Sequence, residues 1–148
     1  MSNNFFCNKP FINIFEKPSN KSKISSQILY GEKFRILKRK KKFLKVKTFY
    51  DKYYGYIKNK KFKKKINATH KVKVLKTKIY KSNSFLPFSS QIEILERYKN
   101  YVRFEKNRWI KSKDICLINK KEKNFTRVLK LFLNSKYKWG GKTHQGID

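Results

Sequence analysis

One strand grammar is stated twice in this chain, and the repetition limits what it can fold into more than any other feature. Up to about residue 120, short stretches rich in Ile, Val, Phe and Tyr alternate with clusters of Ser, Asn, Gly and Lys, the pattern of small antiparallel sheets. The first statement reads as a strand over 11–15, a polar loop from Pro18 to Ser22, and Gln27-Ile28-Leu29 leading into a turn at Gly31. Phe34-Arg35-Ile36-Leu37 follows, then the basic run Lys38 to Lys42, the returning arm 43–48 and a closing Gly55-Tyr56-Ile57. In the second statement Ile79-Tyr80 stands 65 residues after Ile14-Phe15, and Ile92-Glu93-Ile94-Leu95 stands 58 after Phe34 to Leu37. Val102 and Phe104 keep the offset of 58 from Leu44 and Val46, and Trp109-Ile110 stands 53 after Tyr56-Ile57. An offset that shrinks stepwise means that strands are kept while loops lose residues, which is how a duplicated unit diverges. The lysine-rich stretch from Lys58 to Asn67 reads as the linker.

Composition narrows the classes of function. In 148 residues, 39% hydrophobic and 16% aromatic content suffices for buried cores. No window supplies the roughly 18 unbroken apolar residues of a membrane span, and Met1 to Phe15 has no basic start leading into an apolar run. The formal charge of +31 invites a nucleic-acid reading. Against it, lysines outnumber arginines 34 to 6 in a chain also rich in Ile, Asn and Phe, a profile that an A/T-rich coding sequence produces on any surface. Arginine is the residue that reads bases and phosphates bidentately, so no specific nucleic acid is expected. Cys7 and Cys116 are too far apart for a metal knuckle or disulfide framework and read as free thiols, Cys116 as a small buried hydrophobe in Ile115-Cys116-Leu117-Ile118. His70 and His144 are equally isolated, and nothing in the sequence brings Cys116 and His144 together as a pair. No metal and no cofactor is expected.

After Lys120 the period changes. Phe125, Val128, Leu129 and Phe132 fall at i, i+3, i+4 and i+7, which predicts one amphipathic helix with Asn124 as N-cap and a stop at Asn134-Ser135. A lone helix of about a dozen residues is marginal in water and needs a body to pack on. Beyond it come Tyr137-Lys138-Trp139-Gly140-Gly141-Lys142-Thr143 and then Gly146-Ile147-Asp148.

These residues resemble two families found together. Asn13-Ile14-Phe15 with Pro18-Ser19, the Ile-Leu-x-Gly turn, the Phe-x-Ile-Leu strand and the closing Gly-Tyr-Ile resemble the bacterial SH3 domain, a five-stranded barrel. The second unit departs from that pattern, with Arg108 in place of the closing glycine and no glycine equivalent to Gly31, but its Trp109-Ile110-Lys111 end is typical. The helix, the Tyr-x-Trp-Gly-Gly turn and Gly-x-Asp resemble the start of an NlpC-type cysteine peptidase domain, Lys136 standing where that family often has proline. The resemblance implies a mainly β chain: two SH3-like barrels in tandem, then one helix opening a truncated α+β papain-like domain. The expected boundaries are a disordered N-terminus over 1–10, a first barrel over 11–62, a linker over 63–71, a second barrel over 72–118 and the incomplete peptidase part over 122–148.

The same resemblance supplies a chemistry. The nucleophilic cysteine would follow Asp148, and the catalytic histidine would lie further on; His144 does not match it. These 148 residues should therefore be inactive. Tyr137 would lie beside the nucleophile as an auxiliary catalytic residue, Asp148 would hold the free α-amine of an N-terminal L-alanine, and Trp139, Gly140 and Gly141 would shape the turn. The implied reaction is hydrolysis of the amide between D-γ-glutamate and the diamino acid in peptidoglycan stem peptides. The barrels would target the wall or shape the substrate site. With no leader in view, the expected setting is cytoplasmic, on soluble muropeptides, with the cell envelope as the alternative; the oligomeric state is left open.

Two other readings stay open at this level. In one, the chain is a non-catalytic wall- or peptide-binding module using Phe49, Tyr50, Tyr53, Tyr54 and Tyr56, residues that equally serve as barrel core and cross-strand pairs. In the other, the runs Lys38 to Lys42 and Lys58 to Lys65 form a basic nucleic-acid surface around those aromatics. Triplets of the glycosylation type at Asn20, Asn67 and Asn124 are expected by chance in an Asn-rich chain.

Overall fold

Period-two alternation makes the first unit a sheet. The structure, a computed structural model, describes residues 3–148. Strands β1 (Asn4–Phe6), β2 (Phe11–Phe15), β3 (Ile24–Leu29), β4 (Lys33–Arg39), β5 (Phe43–Thr48) and β6 (Tyr54–Lys58) form one antiparallel sheet in the order β1-β4-β5-β6-β2-β3. Its inward residues Ile14, Ile28, Phe34, Leu44, Val46 and Ile57 make the first core together with Phe5, Cys7 and Phe62.

The expected disorder of residues 1–10 is corrected over residues 3–10; Met1 and Ser2 lie outside the described residues. Phe5 pairs with Phe34 across β1 and β4 and is buried, and Cys7 is fully buried. A strand of three residues flanked by asparagines and a proline has too little period to be recognised, yet it closes the edge of β4 and brings two apolar side chains to the core. Linker residues are also more engaged than their composition predicts: Phe62 belongs to the first core and Ile66 to the second.

The second unit consists of β7 (His70–Val72), β8 (Lys76–Lys78), β9 (Phe85–Pro87), β10 (Gln91–Ile92), β11 (Glu96–Tyr98), β12 (Tyr101–Glu105), β13 (Arg108–Lys111) and β14 (Ile115–Leu117). They form three small sheets, β10-β7-β14, β11-β12-β13 and β8-β9. The repeat is visible in the backbone. Phe5 opposite Phe34 recurs as His70 opposite Ile92, and the bond from Gly31 N–H to the Cys7 carbonyl (2.9 Å) recurs from Ser89 to Val72 (2.9 Å). Tyr30 to Pro10 (3.0 Å) recurs as Phe88 to Leu75 (2.9 Å). The glycine missing from the second turn is replaced by Ser89, which adopts the same left-handed backbone at φ +68°.

The units are joined through Tyr30 and Gly31. Tyr30 is buried among second-core residues, edge-on to Phe104 at 5.3 Å. Gly31 has φ +82°, and a Cβ there would lie 1.9 Å from the Gln91 carbonyl oxygen. Only glycine satisfies both the conformation and the approach.

Helix α1 (Phe125–Leu131) begins where the sequence predicts, the Asn124 side chain accepting from Arg127 N–H at 3.2 Å. Its apolar residues divide between two directions. Phe132, just past the helix, meets Phe88 of the second unit edge-on at 5.7 Å, while Phe125 and Leu129 stay exposed. The chain ends in a short hairpin of β15 (Lys142–Thr143) and β16 (Gly146–Ile147). The fold is thus mainly β, several small sheets followed by one helix, as the strand grammar predicts. Among the described residues, no helix is long and apolar enough to cross a membrane.

Candidate functional site

The residues singled out by the C-terminal motif are brought together on one turn. Its backbone folds back on itself: Lys138 N–H donates to the Ile147 carbonyl (2.9 Å), and Asp148 N–H to the Gly141 carbonyl (3.1 Å). This returns Asp148 to the start of the motif. One of its carboxylate oxygens accepts from Gly140 N–H at 3.0 Å, and its charge lies beside the Tyr137 phenol. Partial desolvation first, and then the adjacent Asp148 charge, push the phenol above its ordinary value. Tyr137 and Trp139 nevertheless remain open to solvent, at 71% and 61% exposure, so both can meet a ligand. A carboxylate has about four lone-pair positions; with one of them used by Gly140 N–H, Asp148 can still accept from a cationic partner.

Gly140 and Gly141 lie at close approaches of the turn. Gly140 adopts φ +67° and lies so close to β3 that a Cβ would come within 2.9 Å of the Ile24 carbonyl oxygen. At Gly141 the added carbon would meet the Gly146 carbonyl oxygen at 2.4 Å.

Three residues of the first unit hold this turn, a role that the sequence alone assigns to none of them. Gln27 is fully buried; its Oε1 accepts from Lys142 N–H at 2.8 Å, while its Nε2 donates to Asn13 Oδ1 at 2.9 Å. Asp51 forms a close ion pair with Lys142 and also accepts from the Thr48 hydroxyl. Burial pushes the Asp51 carboxyl up, but the Lys142 and Thr48 bonds outweigh it and hold the group below the usual carboxylate range. Tyr53 lies under the same ammonium, 5.9 Å from its ring centre. The one available signal was a lone acid, Asp51, in the otherwise basic stretch from Lys33 to Lys65.

The remaining candidates are separated. His144 packs against Phe85 at 6.0 Å, and burial first and Lys76 second hold its imidazole below the ordinary value. Cys116 pairs across strands with Lys71 and lines a cleft of about 390 Å³ between the second unit and α1. It is half-buried rather than buried, because Ile115 takes the inward position of that strand. Cys7 is the inert thiol: burial pushes it up to about 12. Among the described residues no three His, Cys, Asp or Glu gather as a metal-binding set.

Comparison with known proteins bears on the fold. Residues 14–62 match the family described as the bacterial dipeptidyl-peptidase Sh3 domain. No curated protein matches the chain. Among solved structures, an NlpC/P60 family protein from Bacillus cereus ATCC 10987 is similar over 98% of this chain and 68% of its own, with 14% identity and a TM-score of 0.78. The chain thus has the fold of an NlpC/P60 family protein along nearly its whole length, and its residues 14–62 are similar to the bacterial dipeptidyl-peptidase Sh3 domain.

Proposed function

We propose that these residues are the N-terminal part of a cysteine peptidase that hydrolyses the γ-D-glutamyl-diamino acid amide of peptidoglycan stem peptides. The observation that carries the reading is the meeting of Tyr137 and Asp148 on a Trp-Gly-Gly turn seated against the Sh3 domain. In this reading the second unit, about residues 69–118, is a second SH3-like barrel, which the recurring register supports. The nucleophilic thiol belongs directly after Asp148, and a thiol attacks an amide as its thiolate, assisted by a histidine. In this reading the exposed Tyr137 hydroxyl hydrogen-bonds the reacting group or a bound water. Asp148 is suited to the free α-ammonium of an N-terminal L-alanine, through a charge-assisted bond. The two β units then target the wall or wall one side of the site.

The test begins with the gene read past the codon for Asp148, where Cys-Ser-Gly and a later histidine are expected. The longer product should cleave L-Ala-γ-D-Glu-diaminopimelate, and the 148 residues alone should not. Asp148→Asn in that product should lower kcat/KM by about 10- to 100-fold for a free amine, the worth of one charge-assisted bond, and far less for an N-acetylated peptide. Cleavage by the 148 residues alone, or equal loss on both peptides, would refute the assignment.

A further inference from the structure

The outward face of β4, β5 and β6 carries two cross-strand rows. Arg35 stands opposite Lys47, which stands opposite Tyr54; Lys38 stands opposite Lys45, which stands opposite Tyr56. Their inward neighbours Phe34, Ile36, Leu44, Val46 and Ile57 are core, so the two-residue period turns all six side chains outward together. A bulge between Ile36 and Lys38 keeps Lys38 in its row and extrudes Leu37.

Directly opposed like charges weaken a sheet, and here two such pairs adjoin. Asp51 is the one acidic residue from Lys33 to Lys58, and it is engaged with Thr48 and Lys142. Lysine-rich composition does not account for the arrangement, because the second unit resolves the same position differently. There Glu96 stands opposite Arg103 in an ion pair of 2.8 Å, at the places that Lys38 and Lys45 hold in the first unit. One unit thus neutralises the pair and the other keeps the repulsion, a local conflict of the kind found at functional surfaces.

The chemistry points to a phosphate-bearing polymer read by charge. Arg35, Lys47 and Lys52 converge beside Phe49 around a notch of about 190 Å³. Along β5 the outward Lys45 and Lys47 stand roughly 7 Å apart. The aromatic rings are already occupied by cations: Lys47 lies 4.9 Å from the Tyr54 ring centre, Lys40 5.5 Å from Tyr56 and Lys33 4.6 Å from Phe49. Rings covered in this way are not free to stack bases, the main source of single-strand nucleic-acid affinity beyond charge. We infer that this face docks a linear polyol-phosphate polymer of the cell wall, gripped through its phosphates by Arg35, Lys38, Lys45 and Lys47. The choice of a wall polymer rests on the peptidoglycan reading above; the charge geometry does not.

Poly(glycerol phosphate) titrated against the 148-residue protein at several salt concentrations tests it. The triple change Lys38→Gln, Lys45→Gln, Lys47→Gln should weaken binding about ten-fold or more and flatten its salt dependence, with Tm unchanged or raised because repulsion is relieved. Lys38→Glu, which copies the second unit, should also weaken binding while raising Tm. A control triple of equal charge, Lys78→Gln, Lys106→Gln, Lys113→Gln, should leave binding within about two-fold. Equal weakening by both triples would reduce the effect to net charge and overturn the proposal, as would an oligothymidylate of equal phosphate number binding as tightly as the polymer. No hydrolysis is measured, so failure here is separate from failure of the peptidase reading.

Discussion

The Tyr30 hydroxyl donates to the Glu105 carboxylate at 2.8 Å, across a sequence separation of 75 residues. Glu105 also receives Lys63 at 2.8 Å and Arg108 at 3.0 Å. Three residues, one from each unit and one from their connection, therefore meet at the Glu105 carboxylate, beside the Tyr30–Phe104 ring pair. Removing only the hydroxyl isolates one charged hydrogen bond. Tyr30→Phe should cost about 1.5 to 3 kcal/mol, and Tyr30→Ala about 3 to 5 kcal/mol through the cavity it leaves. Urea unfolding followed by Trp fluorescence checks both, and a Phe variant as stable as the parent would show that Lys63 and Arg108 satisfy Glu105 unaided.

Acid should loosen the same junction. At Glu105 burial raises the carboxyl, but the bonds from Lys63, Tyr30 and Arg108 outweigh it and hold the group below its ordinary value; Asp51 is lowered likewise. A carboxylate depressed in the folded state stabilises above its unfolded value of about 4, and that stability is lost as pH falls through the folded value. Glu32, raised chiefly by burial, acts in the opposite sense and offsets part of the loss. Stability should therefore decline below about pH 5. Glu105→Gln should be less stable at neutral pH and should lose less on acidification, which urea midpoints at several pH values will show.

Gly31→Ala should be among the most damaging single-carbon additions to this chain. It places an L side chain at φ +82° and a carbon 1.9 Å from the Gln91 backbone oxygen. Left-handed strain alone costs about 1 kcal/mol, and relief of the overlap requires the units to part. A loss of at least about 2 kcal/mol is expected, with increased protease cleavage between the units. At Ser89, the equivalent turn at φ +68°, Ser89→Gly should be neutral or stabilising.

The Lys142–Asp51 pair ties the C-terminal turn to the first unit. Lys142→Met retains the stem and removes the charge, leaving Asp51 half-buried with Thr48 as its remaining side-chain donor. Amide exchange over residues 137–148 should rise about ten-fold while the β2–β6 core is unaffected. Uniform protection in the variant would mean that the Gln27 bond to Lys142 N–H suffices.

Much of the fold was legible because strands report themselves through a period of two. The inward set Phe34, Ile36, Leu44 and Val46 can be read directly from alternation, and the same pattern recurs as Ile92, Ile94, Val102 and Phe104. The helix was legible from its four apolar spacings and the Asn124 cap. Of the candidate site, Tyr137, Asp148 and the glycines were legible only through a motif, since spacing alone says nothing of where the turn sits. Residues 3–10 were missed because three strand residues among polar neighbours carry no measurable period, although Phe5 and Cys7 are core.

What the sequence determined by itself is local: which side chains alternate, where turns need glycine, where a helix is capped. These are properties of neighbours along the chain, set by backbone geometry and by which residues must leave water. Tertiary structure alone decided that Tyr30 fills the other unit's core, that Gln27 and Asp51 receive Lys142, and that Lys38 faces Lys45 while Glu96 faces Arg103. Each of these depends on groups distant in sequence approaching within a few ångströms, and on register and packing that no single segment encodes.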